Sequence, residues 1–214
     1  MLYLCFMSKR ILGFLIISGI IAIFAYTLLQ SNTGTEDPQQ YQQRIQKERE
    51  QKNASFRSGR DSPIPQEARS SFQGLNYYPI TPELRLQARL ERMPQPEAIR
   101  IETSTGTAET YLRWGLAHFQ LRNQSLQLLI LQAIDDPSYL FIPFADETSA
   151  RSTYGAGRYL EVEEPKGNSN RIELDFNRAY NPYCAYNEAY TCPLPPRDNL
   201  LPVPIEAGEK SYEK

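Results

Sequence analysis

The side chains best suited to chemistry crowd into one stretch, FNRAYNPYCAYNEAYTCPLPP, residues 176–196, with four tyrosines, three asparagines, four prolines and two cysteines. Cys184 and Cys192 enclose seven residues. Three chemistries fit such a pair: a disulfide staple, half of a metal site, or an activated thiol. A zinc site needs two further nitrogen or sulfur ligands. The chain has a single histidine, His118, in the strand-like WGLAHFQL, and a third cysteine, Cys5, near its start. A nucleophilic cysteine needs a base at its side, and His118 is the one histidine available. The spacing therefore favours a disulfide between Cys184 and Cys192 that holds the NPYCAYNEAYTCP loop, with no metal and no cofactor expected.

Around that loop lies a concentration of recognition residues. Seven of the fourteen tyrosines fall between Tyr139 and Tyr190. Arginines and asparagines accompany them, and together these types supply flat faces, bidentate donors and adaptable amides. Just upstream, TYGAGRY carries Gly155 and Gly157, which let backbone amides approach a ligand, and then Arg158. It lacks the third glycine and the strand–turn–helix setting of a dinucleotide site, so a tight turn is the competing reading. The expected ligand-binding set is Arg151, Tyr154, Gly155, Gly157, Arg158, Tyr159, Asn177, Arg178, Asn181 and Tyr183, with Arg158 and Arg178 as clamps for a carboxylate or phosphate. If the chain is an enzyme, Asp175 or Glu188 is the candidate for proton transfer. Asp135-Asp136-Pro137 and Asp146-Glu147 read as turn and cap residues.

The chain's ends bound where such a site would work. Residues 11–29, ILGFLIISGIIAIFAYTLL, contain no charge and match the length of a membrane-crossing helix. Lys9 and Arg10 precede the run, and the next basic residue is Arg44. That asymmetry predicts a cytoplasmic N-terminus (residues 1–10) and an extracytoplasmic remainder. The run is longer than a cleaved signal core and ends in no small-x-small site, so it reads as an uncleaved signal-anchor. The whole chain carries a net charge of −2, which becomes −4 once Lys9 and Arg10 are set aside. That is the wrong sign for a nucleic-acid partner.

The rest of the sequence supplies the scaffold. Asp37-Pro38 opens a polar helix within residues 30–60, read as a solvated stalk because Tyr41, Ile45 and Phe56 are almost its only apolar residues. Residues 61–210 then form the compact domain and 211–214 a tail. Leu84, Leu86, Ala88 and Leu90 alternate with polar residues, as a strand with one wet face does. Further strands are expected over 98–103, 108–114, 116–121, 126–132, 139–144, 158–162 and 171–176, separated by turn residues. Short strands with little helical periodicity argue a mainly β fold, an antiparallel sandwich or barrel-like sheet with few short helices. Leu200–Ile205 reads as one more strand, and its Pro202 and Pro204, on one side, confine it to an edge.

At DSPIPQEARSSFQGLNYYPITPELRLQARLERMPQP, SARSTYGAGRYLEV and LDFNRAYNPYCAYNEAYTCPLPPRDNLLPVPIEAGEK the chain resembles the family catalogued as domain of unknown function 1684, found mainly in bacteria. The resemblance covers about residues 56–210 and implies no activity, cofactor or partner. The functional expectation is a membrane-anchored module of the cell envelope that binds a small anionic or glycan ligand or an envelope protein. The alternative is an enzyme on such a ligand.

Overall fold

The computed structural model describes residues 36–213. Among them no helix is long and apolar enough to cross a membrane. The apolar run 11–29 lies outside the described residues.

Helix α1 spans Pro38–Ser58. Asp37 caps it as the sequence predicts, its Oδ2 accepting from the amides of Gln39 (3.1 Å) and Gln40 (3.2 Å). The compact unit begins at Gln42, so most of α1 belongs to it. This part of the helix is no free stalk: Ile45 and Phe56 are buried, and its charged side chains are anchored. Arg49 donates to the carbonyls of Tyr78 (2.9 Å) and Asn177 (3.3 Å), and Glu48 pairs with Arg178 at 3.1 Å. A helix so short of apolar residues is held by charge-assisted hydrogen bonds in place of a hydrophobic stripe, a mode that periodicity does not reveal.

The domain is mainly β. Its strands are β1 (Arg85–Glu102), β2 (Ala108–Leu121), β3 (Gln124–Ala133), β4 (Leu140–Phe144), β5 (Arg158–Val162) and β6 (Arg171–Asp175). They form one six-stranded antiparallel sheet in the order β5-β4-β3-β2-β1-β6, curled into a half-barrel. The two edges approach at one end, where Tyr159 of β5 exchanges backbone hydrogen bonds with Tyr180 just past β6 (2.8 and 3.0 Å). The first two expected strands are a single long one. Met93 to Pro96 bulge out between the pairs Arg92–Gly115 and Glu97–Arg113, so Pro94 and Pro96 interrupt the ladder without ending the strand.

Period-two alternation sorts β3 onto two buried faces. Leu128 and Ile130 join the main core with Leu90, Ile142, Leu160 and Leu174. Leu129 and Leu131 join a second cluster with Phe141, Tyr159, Cys184 and Cys192. β3 and β4 pair only at residues 131–132 and 140–141. Where they part, the Asn199 amide bridges them, donating to Leu129 O (3.0 Å) and Pro143 O (2.8 Å) while accepting from Leu129 N (2.6 Å).

The segment after residue 200 is not the edge strand its pattern suggests. It touches the sheet through one bridge, Leu201 N to Ala145 O at 2.8 Å, and otherwise runs without a ladder. Leu201, Val203, Ile205 and Ala207 point into the open side of the half-barrel and complete the main core. With two prolines the segment cannot sustain a ladder, and a buried side chain takes that place. The Arg158 guanidinium donates to the carbonyls of Ile205 (2.9 Å), Ala207 and Glu209 (3.2 Å). Gly208 has φ 73° and sits where a Cβ would come 2.4 Å from Ala179 O, so no other residue fits that turn.

Candidate functional site

The second buried face opens into a cleft of about 780 Å³ between the C-terminal half of α1 and the sheet. That is the size of an ordinary small-molecule site. Strand alternation builds one wall: Glu109 and Tyr111 stand two apart on β2, and Tyr159 and Glu161 two apart on β5, so each strand presents one phenol and one carboxylate to the same side. Phe141 of β4 lies between them. Its ring stacks on Tyr139 (5.2 Å, 18°) and meets Tyr111 (5.1 Å) and Tyr159 (5.5 Å) edge-on. Tyr180, Tyr183 and Tyr190 from the proline-rich loop complete the lining, with Phe56 and Lys52 from α1.

The phenols are fixed by their hydroxyls. Tyr159 donates to Pro193 O (2.6 Å), Tyr111 to Glu109 (2.6 Å), and Tyr180 and Tyr139 both to Glu161 (2.7 and 3.4 Å). Burial pushes the Tyr139 hydroxyl up to about 12 and those of Tyr111, Tyr159 and Tyr180 higher still, so all four stay protonated donors at neutral pH.

Cys192 lines this cleft. The disulfide expected with Cys184 is not formed: both cysteines are free and buried. Hydrogen bonds join them instead. The Cys184 amide donates to Cys192 Sγ (3.2 Å), and the Tyr154 hydroxyl reaches Cys184 Sγ (3.8 Å). Cys184 is pushed down to about 6, chiefly because the Cys192 thiol donates to its sulfur, and Cys192 is pushed up by the same bond. One thiolate is therefore expected to appear as pH rises through about 6 and to vanish below it, with the second thiol not titrating at neutral pH. Thiolate ultraviolet absorbance of the reduced protein against a Cys184→Ser/Cys192→Ser control measures this. A first thiolate only in the ordinary cysteine range, about 8–9, contradicts it.

A smaller cavity of about 180 Å³ adjoins the cleft and shares Lys52, Glu161 and Tyr180 with it. Three basic side chains (Arg49, Lys52, Arg178) and three acidic ones (Glu48, Glu161, Glu209) line it, with Lys52 paired to Glu209 and Arg178 to Glu48. Among the described residues no cluster of three or more His, Cys, Asp or Glu is grouped to hold a metal ion.

The residues expected from sequence divide sharply. Tyr159 and Tyr183 line the cleft, and Asn177 and Arg178 the small cavity. Tyr154 packs beneath the cysteines. Arg158 is no anion clamp: it is fully buried, with its guanidinium on three backbone carbonyls and on Asp146 (2.8 Å). Asn181 is likewise structural, its amide and side chain bonded to Glu209 and Lys210. Gly155 and Gly157 form a turn, with Gly157 at φ 90° against Phe144 O and Pro195, which leaves no space for a ligand there. Arg151 is exposed on a neighbouring turn. Asp175 caps the turn after β6, accepting from Asn177 N (3.2 Å) and Asn177 Nδ2 (3.3 Å). Glu188 lines a different cavity, with Phe72 and Tyr212. Neither acid–base candidate lines the cleft, and Glu188 sits in a different cavity from Arg178. Sequence reading missed Lys52, Phe56, Glu109, Tyr111, Phe141 and Glu161. The Glu-x-Tyr and Tyr-x-Glu spacings on two strands were the usable signal.

Fold and cleft together define a mainly β half-barrel domain with an aromatic recess on its second buried face. The chain belongs to the family described as "Protein of unknown function (DUF1684)", whose model matches residues 70–210. It is similar to the uncharacterized protein from gene locus rrnAC0354 of Haloarcula marismortui, known from a solution NMR structure. The two share 38% identity over 80% of this chain and 95% of that one, with a TM-score of 0.64. No curated protein matches the chain.

Proposed function

We propose that this protein is a ligand-binding module whose site is the tyrosine-lined cleft between α1 and the sheet. The observation that carries the reading is the wall of ring faces whose hydroxyls are already bonded to Glu109, Glu161 and Pro193. Such rings are rigid, amphipathic and free of further polar demands, which suits them to stack on a ligand at little entropic cost. The binding reading is preferred to the enzymatic one because Arg158 and Asp175 serve the fold. The apolar run 11–29 and its flanking Lys9 and Arg10 support display of the domain outside the cytoplasm on a membrane anchor.

The test is a thermal-shift screen of the full chain against sugars, short peptides, organic cations and small anions. A compound that raises the melting temperature is expected. Tyr183, 40% exposed at the rim, should carry part of the binding without carrying the fold. Tyr183→Ala should weaken that compound by about tenfold, the worth of one aromatic contact, and lower the unliganded melting temperature only modestly, since the ring also meets Phe56 and Tyr190 edge-on. Stabilisation by no class of compound, or unaltered binding to the variant, contradicts the reading.

A further inference from the structure

The charge of the cleft narrows the class of ligand, an inference that rests on the binding role proposed above. Two carboxylates, Glu109 and Glu161, line it. Among the described residues neither is in an ion pair; each accepts hydrogen bonds from phenols. By contrast Glu48 and Glu209, in the adjoining cavity, both have cationic partners. Lys52 is the one basic side chain among the described residues on the cleft, and its charge is neutralised by Glu209. On the cleft itself the two carboxylates therefore outnumber the single ammonium, beside the half-buried rings of Tyr111, Tyr139 and Tyr180 and the exposed ring of Tyr183, the combination that attracts a cation and repels a carboxylate or phosphate.

The rings also show what they accept. The Lys52 ammonium lies 4.5 Å from the centroid of Tyr180 and 5.3 Å from that of Phe56. Both rings line the cleft. An alkylammonium group is thus already seated on this aromatic surface by the protein itself. Phenols that donate to carboxylates gain electron density in the ring, which strengthens the attraction of the face for positive charge.

We propose that the cleft binds an organic cation of the alkylammonium type, with ring faces around its methyl or methylene shell and Glu109 and Glu161 balancing its charge. This reverses the preference for an anion that the arginine-rich sequence suggests.

The test compares choline with dimethylbutanol, its uncharged carbon isostere, by isothermal titration of the full chain, with tyrosine resonances reporting where each binds. Choline should bind in the cleft at least about tenfold more tightly than the isostere. The substitutions Glu109→Gln and Glu161→Gln together should weaken choline by about tenfold and leave the isostere unchanged. Because these carboxylates contact only phenols at the cleft wall, the doubly substituted chain should keep its fold, and an unchanged amide spectrum checks that. Equal affinity for choline and isostere overturns the charge assignment while the cleft stands. So does a cleft that takes a sugar or an anion but no cation. A cleft whose tyrosine resonances respond to no compound of any class overturns both this assignment and the binding role.

Discussion

Replacing Arg158 by methionine is expected to cost the domain about 3–5 kcal/mol, enough to unfold much of a marginally stable protein. The side chain is fully buried. Its removal strands the carbonyls of Ile205, Ala207 and Glu209 and leaves the Asp146 carboxylate uncompensated in the core. Asp146 cannot simply relax away, because its Oδ1 also holds the amides of Thr148 (2.7 Å) and Ile205 (3.2 Å). Lysine does not rescue: one ammonium lacks the planar fork that reaches three carbonyls and a carboxylate at once. Urea denaturation of the wild type, Arg158→Met and Arg158→Lys measures the loss. Variants within about 1 kcal/mol of wild type would show that the C-terminal segment holds without its fastener.

The second large effect lies a short way along the same segment. Glu209 is almost wholly buried, and its carboxylate accepts from the Asn181 amide (2.9 Å), the hydroxyls of Tyr186 and Tyr77, and the Lys52 ammonium. Glu209→Ala leaves those donors unpaired and is expected to cost about 3 kcal/mol. Lys52 keeps partial access to water, so its share of the loss is the smaller one. Glu209→Gln keeps an acceptor of the same length and should cost about half as much. The alanine variant should also free α1, since Lys52 is one of its anchors. Hydrogen exchange over residues 42–58 should then quicken ahead of the sheet. Equal stability of both variants and wild type, with α1 still protected, would contradict the assignment.

These two side chains show why sequence reading reached the fold and only part of the site. The strands were legible because Leu84 to Leu90, 158–162 and 171–176 alternate or form apolar runs bounded by turns, a property of local spacing. Leu200–Ile205 reads as an edge strand, and nothing in its pattern shows that Leu201, Val203, Ile205 and Ala207 enter the main core. Nothing local to RYLEV announces that its arginine crosses to carbonyls more than forty residues later. The same holds for α1, whose Lys52 reaches Glu209 across 157 positions. The tyrosine concentration pointed to the cleft proposed as the site, because Tyr159, Tyr180 and Tyr183 all line it. Arg158 is the exception: it is buried on backbone carbonyls, a use of arginine that sequence does not separate from ligand binding. The cysteine spacing predicted proximity correctly and bonding incorrectly, since hydrogen bonds rather than a covalent link join the two sulfurs' surroundings.

Whether the tyrosine cleft is the binding site is decided by a structure of the full chain bound to the compound that most raises its melting temperature. The ligand is predicted to lie between α1 and the sheet, against Tyr159, Tyr180 and Tyr183, with a positive charge near Glu161. A ligand seated instead beside Phe72 and Tyr212, or on the outer surface away from these rings, would contradict it.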